Sequence, residues 1–307
     1  MAGHPSPTYL IVNADDYGYF RCVSRGIVEA ASRGIVTATG VIANRDGLED
    51  AAAALADCPA LDAGVHLNLT TGVPLTATMR EKCARWQGRF PGKFAAVGAV
   101  VAGAIKADDV SGEWQAQIER CLAAGIHPVF LNSHEHVHML PSLFDIAGRL
   151  AERYGIRHLR FTTAELGATP SAGAVLRAAI MGTLQRLCAH RASAATPRFL
   201  GLGPSGKLSL AYFRRVLPRL APGVVYELMC HPGRLNRTEV EDAALLAYHD
   251  WEGELATLTD PALPSLLGTH GVAVVGYRDL QVVDGRLSAA ARSAMPAVAV
   301  CSGPSSS

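Results

Sequence analysis

Several features that mark other protein classes are missing from this 307-residue sequence. There is no dense block of lysine or arginine, and the formal net charge is +1, which argues against a nucleic-acid binder and a polybasic membrane anchor. No apolar run is long enough to cross the roughly 30 Å hydrocarbon layer of a bilayer. The most apolar stretch, FAAVGAVVAGAI at residues 94–105, is predicted to be a buried or surface-docked helix. We therefore expect a small-molecule partner, no nucleic acid and no transmembrane segment.

The cysteine pattern of a disulfide framework is also missing. The seven cysteines are scattered, contain no C-x-x-C pair and are odd in number, which favours reduced thiols. The first residues, MAGHPSPTYLIVNADD, show no basic region followed by a long apolar stretch and a small-residue cleavage site. These two absences predict a cytoplasmic location.

What is present is the alternating pattern of an α/β protein. Short runs rich in Val, Ile and Leu alternate with stretches of helical period, as in repeated βα units around a parallel sheet. Strands are predicted at residues 8–13, 37–43, 62–68, 127–133, 158–161, 198–202, 224–230 and 271–277. Helices are predicted at 23–34, 112–125, 141–155 and 238–258, with left-handed helix ends at Gly34, Gly125 and Gly155.

Eight strands with helices between them favour one irregular (β/α)-barrel domain over residues 1–290. A doubly wound open sheet is the alternative. The stretch between strands three and four holds more loop than a connection needs, so a lid is predicted around residues 70–110. Residues 291–307 are predicted to be a disordered tail. The polar residues that follow the strands would meet at their C-terminal ends, where barrel active sites are built.

The first such group is NADDYG, residues 13–18, at the end of strand one. One carboxylate could be a helix N-cap, but two at the end of an apolar strand are costly to bury. A cation would remove the repulsion, because one carboxylate could bind a metal while the other accepts a proton. Asp15 and Asp16 are therefore predicted to be functional.

Histidines follow strands three and four. His66 in GVHLNLT could be an ordinary core residue and gains weight only from its neighbours. NSHEHVHML places His134, His136 and His138 at a spacing of two, on one face of an extended segment, which indicates a metal site with supporting ligand-orienting residues. A histidine-rich surface loop is the alternative.

The last motif is YELMCHPG at the end of strand seven. It places Glu227 and His231 before a Pro-Gly turn, where His231 could be an ordinary turn residue. With a metal site on the same face of the barrel, it could instead serve as a general acid.

These four motifs, in this order, resemble those of the YdjC-like carbohydrate deacetylases of the ChbG and HpnK type, over roughly residues 8–280. The resemblance implies a barrel-like fold and removal of an acetyl group from an N-acetylated amino sugar. It also implies one divalent metal held by Asp16, His66 and His134, with Asp15 as the base. Tyr17 stands where the family usually has Phe, which affects no catalytic position.

We expect metal-activated water to attack the acetyl carbonyl, with His231 giving a proton to the sugar nitrogen. Zn, Co, Ni and Mn suit the mixed ligands, and Mg is also open. The sugar could be N-acetylglucosamine in an oligosaccharide, a glycoconjugate or a lipid-linked form. Trp86 could stack on it or only anchor the lid. His136, His138, Glu227 and Arg160 are expected to support the site or bind substrate. A homodimer, another metal-dependent amide or phosphoester hydrolase with Arg160 on the phosphate, and a non-catalytic carbohydrate-binding protein remain open.

Overall fold

The computed structural model describes residues 7–166, 172–193, 196–283 and 286–290; the predicted tail at 291–307 lies outside them. A parallel sheet curves into a half-barrel with helices around it. Its strands are β1 Thr8–Tyr17, β2 Ala38–Val41, β3 Asp62–Leu67, β4 Phe130–Ser133, β5 His158–Leu159, β6 Arg198–Leu200, β7 Val225–Cys230 and β8 Val272–Val274. Each of them overlaps a predicted strand. A hairpin of β9 Leu280–Val283 and β10 Arg286–Ala289 follows.

The strand order explains why the barrel is irregular. The sheet runs β5-β4-β3-β2-β1-β7-β6, and β8 pairs with the first residues of β1. In the described part of the chain, no pairing joins β5 to β6, so the sheet stays open along that seam. The predicted irregular α/β barrel is confirmed, in the form of a half-barrel.

The helices lie on the outside of the sheet. They are α1 Arg21–Arg33, α2 Leu48–Ala56, α3 Ala77–Lys82, α4 Lys93–Val101, α5 Ala107–Ala123, α6 Pro141–Arg153, α7 Ala172–Cys188, α8 Leu210–Val216, α9 Ala243–Tyr248, α10 Trp251–Leu258 and α11 Leu263–Thr269. Single turns of 3₁₀ helix lie between some of them. In the described residues, no helix has the length and apolar character needed to span a membrane.

Two local predictions were wrong for identifiable reasons. The helix predicted at 238–258 is split, because His249 has an extended backbone and the Asp250 side chain accepts a hydrogen bond from Gly253 N to start α10. Gly34 is extended and not left-handed, in contrast to Gly125 and Gly155. A Cβ at Gly34 would collide with the backbone of Leu258, so this glycine permits close packing of two helices.

Alternation along the strands sorts the core into two layers. On β1, Leu10, Val12 and Ala14 pack outward against the helices, whereas Tyr9 and Ile11 pack inside the half-barrel. Inside, the residues change from apolar to polar towards the C-terminal ends of the strands. The inner layers are Tyr9, Ile11, Phe130 and Val225 at the bottom, and Asn13, Asp15, His66, Asn132 and Glu227 above them. This polar layer is the floor of the candidate site.

Candidate active site

A bulge at the end of β1 positions the two aspartates. Ala14 pairs with Thr39 and Tyr17 with Val41, so β1 contains one more residue than β2 between these points. Asp16 lies in the bulge with a φ of 73°, a left-handed conformation that Asp adopts more readily than most residues. A regular strand would point neighbouring side chains to opposite faces. The bulge therefore explains how both carboxylates reach the same cluster of side chains.

Asp16, His66 and His134 lie together, each offering one potential ligand atom within 4.8 Å of the others. Oδ1 of Asp16 is 2.7 Å from Nδ1 of His134 and 3.3 Å from Nε2 of His66. Burial raises the pKa of Asp16, but the charge and hydrogen bond of His134, with those of His66, outweigh this and hold the pKa well below its usual value. The three side chains converge on one point with an anionic oxygen and two imidazoles.

Asp15 is held by different partners. Arg160 donates to both of its oxygens, from Nη1 at 2.6 Å and Nη2 at 2.8 Å, and Asn132 Nδ2 donates to Oδ1 at 3.0 Å. Burial raises the pKa of Asp15, but the charges of Arg160, His66 and His231 and the Arg160 hydrogen bonds bring it below the usual value. Asp15 is therefore an ionised carboxylate that makes no direct hydrogen bond to the three grouped side chains.

Arg160 joins Asp15 to Glu227 in the floor of the site. Its Nε donates to Glu227 Oε1 at 2.6 Å, and the same oxygen accepts a hydrogen bond from Asn13 Nδ2 at 3.1 Å. The guanidinium also lies 5.2 Å from the ring centroid of Phe199. Glu227 and Arg160 thus support the site from below.

The histidine-rich segment differs from the predicted extended chain. His134–Met139 forms an irregular 3₁₀ turn, and Glu135 and His136 have φ values of 55° and 58°. His134 consequently turns towards Asp16, whereas His136 contacts Thr162 Oγ1 at 3.2 Å. The prediction that three histidines share one face was wrong, because the left-handed residues redirect the chain.

His138 is buried beneath the site. Its Nδ1 contacts Ser133 Oγ at 2.6 Å and its Nε2 donates to the carbonyl of Arg160 at 3.0 Å. Burial lowers the pKa of His138 to about 3, and burial with the charge of Arg160 lowers that of His136 well below its usual value. Both rings are neutral; His138 fixes the backbone that carries Arg160.

His231 follows β7 and is 7% exposed. Its backbone N–H donates to Glu254 Oε2 at 2.5 Å, and its ring lies 5.0 Å from that of His249. Nδ1 of His231 and Nδ1 of His249 are buried without a hydrogen-bond partner among the described residues. Burial, followed by the charge of His231, lowers the pKa of His249 to about 3. His249 is a neighbour of His231 that the sequence analysis did not single out.

The segment predicted as a lid contacts the edge of the site at one ion pair. Lys93 Nζ, at the start of α4, lies 3.2 Å from Glu135 Oε1, next to His134. Trp86 is partly buried against the main core, with the Arg85 guanidinium 3.8 Å from its ring centroid. Among the described residues, the contacts of Trp86 are thus with the main core and Arg85 and not with the grouped side chains.

Asn132 was missed by sequence reasoning although it lies in the quoted motif. It contacts His66 and Asp15 at once, with Oδ1 2.7 Å from His66 Nδ1. The sequence did contain a signal for Asn132, an amide two residues before His134. Alternation along a buried strand would point both side chains to the inner face. His249 had no comparable signal, because it was assigned to the interior of a helix.

Comparisons with known proteins identify relatives of this chain. The family model of YdjC-like proteins matches residues 9–268. The carbohydrate deacetylase of Geobacillus stearothermophilus is 33% identical over 274 residues, which are 89% of this chain and 98% of that protein. The chitooligosaccharide deacetylase of Klebsiella pneumoniae is 28% identical over 282 residues, with 88% and 98% covered.

A solved structure shows the same fold. An Enterococcus faecalis protein, provisionally named for cellobiose-phosphate cleavage, superposes with a TM-score of 0.67 at 25% identity, covering 89% of this chain and 98% of that one. The match to the family model covers strands β1 to β7 of the half-barrel, which include every strand that carries a site residue. This chain therefore belongs to the YdjC-like protein family.

Proposed function

We propose that this chain is a metal-dependent hydrolase that removes the acetyl group from an N-acetylated amino sugar. One observation carries the proposal: a group of three potential metal ligands lies beside a separate buried carboxylate, Asp15, which Arg160 keeps ionised. The names of the relatives, carbohydrate deacetylase and chitooligosaccharide deacetylase, support the substrate class.

The three grouped residues fit a divalent ion. One carboxylate and two imidazoles form a mixed oxygen and nitrogen set, which suits Zn, Co, Ni or Mn better than Mg. The contact of Asp16 with both histidines shows that the three side chains already face one another. When bound, the ion would polarise the acetyl carbonyl and lower the pKa of a coordinated water.

Asp15 is the proposed general base. Its lowered pKa keeps it ionised at neutral pH, so it can accept the proton of the attacking water. Arg160 orients it by gripping both oxygens, and Asn132 fixes it from the side. The proton would be held at an oxygen of Asp15 while the carbon–nitrogen bond breaks and would then pass to solvent.

His231 is the proposed general acid. It directly follows Cys230, which pairs with Ala14 next to Asp15 in the sheet register, and its backbone N–H is held by Glu254. The ring would give a proton to the sugar nitrogen as the carbon–nitrogen bond breaks. The segment at residues 70–110 is the proposed lid, attached through Lys93 and Glu135 beside the site.

A phosphoester substrate is disfavoured by the position of Arg160. This side chain is 1% exposed, and its three nitrogens already donate to Asp15 and Glu227. Because the side chain is buried and held in this ion pair, it is not exposed to bind a phosphate group. We propose N-acetylglucosamine units as the acyl donor, in free, oligomeric or lipid-linked form.

Acetate release from a panel of N-acetylated sugars tests the proposal. The protein is stripped of metal with a chelator, resupplied with single divalent ions, and compared with Asp15→Asn and Asp16→Asn. We expect Asp16→Asn to lose zinc binding and activity, and Asp15→Asn to retain zinc but lose activity. Release that continues without metal, or a wild-type protein that binds zinc yet releases no acetate from any sugar, would overturn the proposal.

A further inference from the structure

Asn132 lies between the candidate base and the candidate metal ligands. It is fully buried on β4, directly opposite His66 on β3 in the sheet register. Its Nδ2 is 3.0 Å from Asp15 Oδ1 and its Oδ1 is 2.7 Å from His66 Nδ1. It is thus hydrogen-bonded both to the base and to a ligand.

The chemistry of its partners determines which way the amide points. An ionised carboxylate only accepts hydrogen bonds, so the NH₂ group of Asn132 must face Asp15. The carbonyl oxygen then faces His66, and an oxygen can only accept, so Nδ1 of His66 must carry a proton. In the neutral ring this leaves the lone pair on Nε2, the atom that lies 3.3 Å from Asp16.

A glycine on the neighbouring strand makes room for this contact. A Cβ at Gly40 of β2 would lie 3.0 Å from Asn132 Oδ1 and 3.0 Å from His66 Nδ1. Both distances are shorter than ordinary van der Waals contact, and both affected atoms belong to this one hydrogen bond. A side chain at position 40 would therefore disturb the hydrogen bond between Asn132 and His66.

We propose that Asn132 is a positioning residue that holds His66 in the Nδ1–H tautomer, presents Nε2 to the metal, and ties the ligand set to Asp15. The inference rests on the proposed metal site. One side chain, Asn132, then orients both a metal ligand, His66, and the proposed base, Asp15. Hydrogen bonds of this kind to a ligating histidine typically change metal affinity by about 10–100-fold when they are lost.

Zinc affinity of two variants separates the two contacts. Asn132→Leu removes both, and we expect its dissociation constant for Zn²⁺ to rise about 10–100-fold. Asn132→Asp keeps an acceptor for His66 but loses the donor to Asp15, so we expect zinc affinity at least equal to that of wild type with reduced acetate release. Asn68→Leu is the control: Asn68 is equally buried, directly follows β3, and its side chain is hydrogen-bonded to Asn44, Thr70 and Thr71 but to neither His66 nor Asp15.

The proton on His66 provides a readout that is independent of activity. In zinc-loaded protein with ¹⁵N-labelled histidine, we expect a slowly exchanging Nδ1–H signal for His66 in wild type and Asn68→Leu, and its loss in Asn132→Leu. Gly40→Ala should weaken zinc binding in the same direction. Circular dichroism establishes that each variant is folded.

The outcomes distinguish this inference from the proposed function. A folded Asn132→Leu protein with wild-type zinc affinity and an intact Nδ1–H signal would overturn the role of Asn132 while leaving the metal site in place. Equal losses of zinc affinity in Asn132→Asp and Asn132→Leu would do the same. A wild-type protein that binds no zinc would overturn the metal site itself, and the role of Asn132 with it.

Discussion

Arg160 grips Asp15 through two parallel hydrogen bonds, 2.6 and 2.8 Å long, and holds Glu227 with its remaining nitrogen at 2.6 Å. All three side chains are at most 2% exposed. One buried cation thus lies between two buried anions, and each of its three nitrogens donates a hydrogen bond to a carboxylate. Paired geometry of this kind orients a carboxylate more strictly than a single point charge does.

Replacing Arg160 by Met should cost about 3–5 kcal/mol of stability at neutral pH, because two carboxylates stay buried without their counter-charge. The lowered pKa of Asp15 means that its contribution is present above its unfolded pKa and lost as the pH falls through the folded value. The deficit of the variant should therefore narrow below about pH 4. Urea unfolding of wild type and Arg160→Met with a chelator present, at neutral pH and below about pH 4, measures this difference in stability.

Arg153→Met is the matched control for this loss. Arg153 is exposed, donates a hydrogen bond to Gln115 and lies 5.7 Å from the ring centroid of Tyr154. Its replacement should change stability by less than about 1 kcal/mol at either pH. If Arg160→Met loses no more stability than Arg153→Met, or loses more stability at acidic than at neutral pH, the buried ion pair does not stabilise the fold as argued.

The strands and the meeting of polar residues at their ends could be predicted from the sequence. Apolar runs identify the strands, and parallel topology brings their C-terminal ends together, as Asp16, His66 and His134 illustrate. The bulge at Asp16 could not be predicted, since it depends on the register between β1 and β2. The turn after Ser133 could not be predicted either, because Glu135 and His136 have left-handed φ values, which residues other than glycine adopt only rarely.

The left-handed conformation of Asp16 predicts an unusual order of stability among variants. With a chelator present, neither Asp16→Ala nor Asp16→Gly has metal bound. The difference in their stability then reflects only the backbone conformation and the extra methyl group of Ala. A φ of 73° costs Ala about 1–2 kcal/mol, whereas Gly loses about 0.5–1 kcal/mol to unfolded-state entropy. We expect Asp16→Gly to be at least as stable as Asp16→Ala in urea unfolding. As a control, Ala14→Gly changes a regular position of the same strand and should lower the stability by about 0.5–1 kcal/mol. If Asp16→Gly is less stable than Asp16→Ala by the same amount, the left-handed conformation at the bulge is contradicted.

Glu254 predicts a second pH dependence. Burial raises its pKa, although His231 and two backbone N–H groups oppose the shift, so its stabilising effect is present below its unfolded pKa and declines as the pH rises through the folded value. In Glu254→Gln, the NH₂ group faces the backbone N–H of Leu208 or of His231, which leaves that N–H without an acceptor. This should lower the free energy of unfolding by about 1–3 kcal/mol at acidic pH.

The difference between wild type and Glu254→Gln should shrink as the pH is raised from about 4 towards neutrality, measured by urea unfolding at each pH. Glu252→Gln, on the exposed face of the same helix, serves as the control and should show no such trend. A difference that widens with pH would indicate that Glu254 is stabilised as a carboxylate.

The ion pair between Lys93 and Glu135 predicts that the segment at 70–110 affects substrate binding more than chemistry. Both side chains are about one-third exposed, so the pair is worth at most about 1 kcal/mol, or about fivefold in KM. Lys93→Met should raise KM within that limit, leave kcat unchanged and be cut faster by protease within this segment. High salt should bring wild type towards the variant. Arg33→Met, which removes a comparable surface pair with Glu29 away from the site, should alter none of these. A fall in kcat with KM unchanged would instead assign Lys93 to the chemical step.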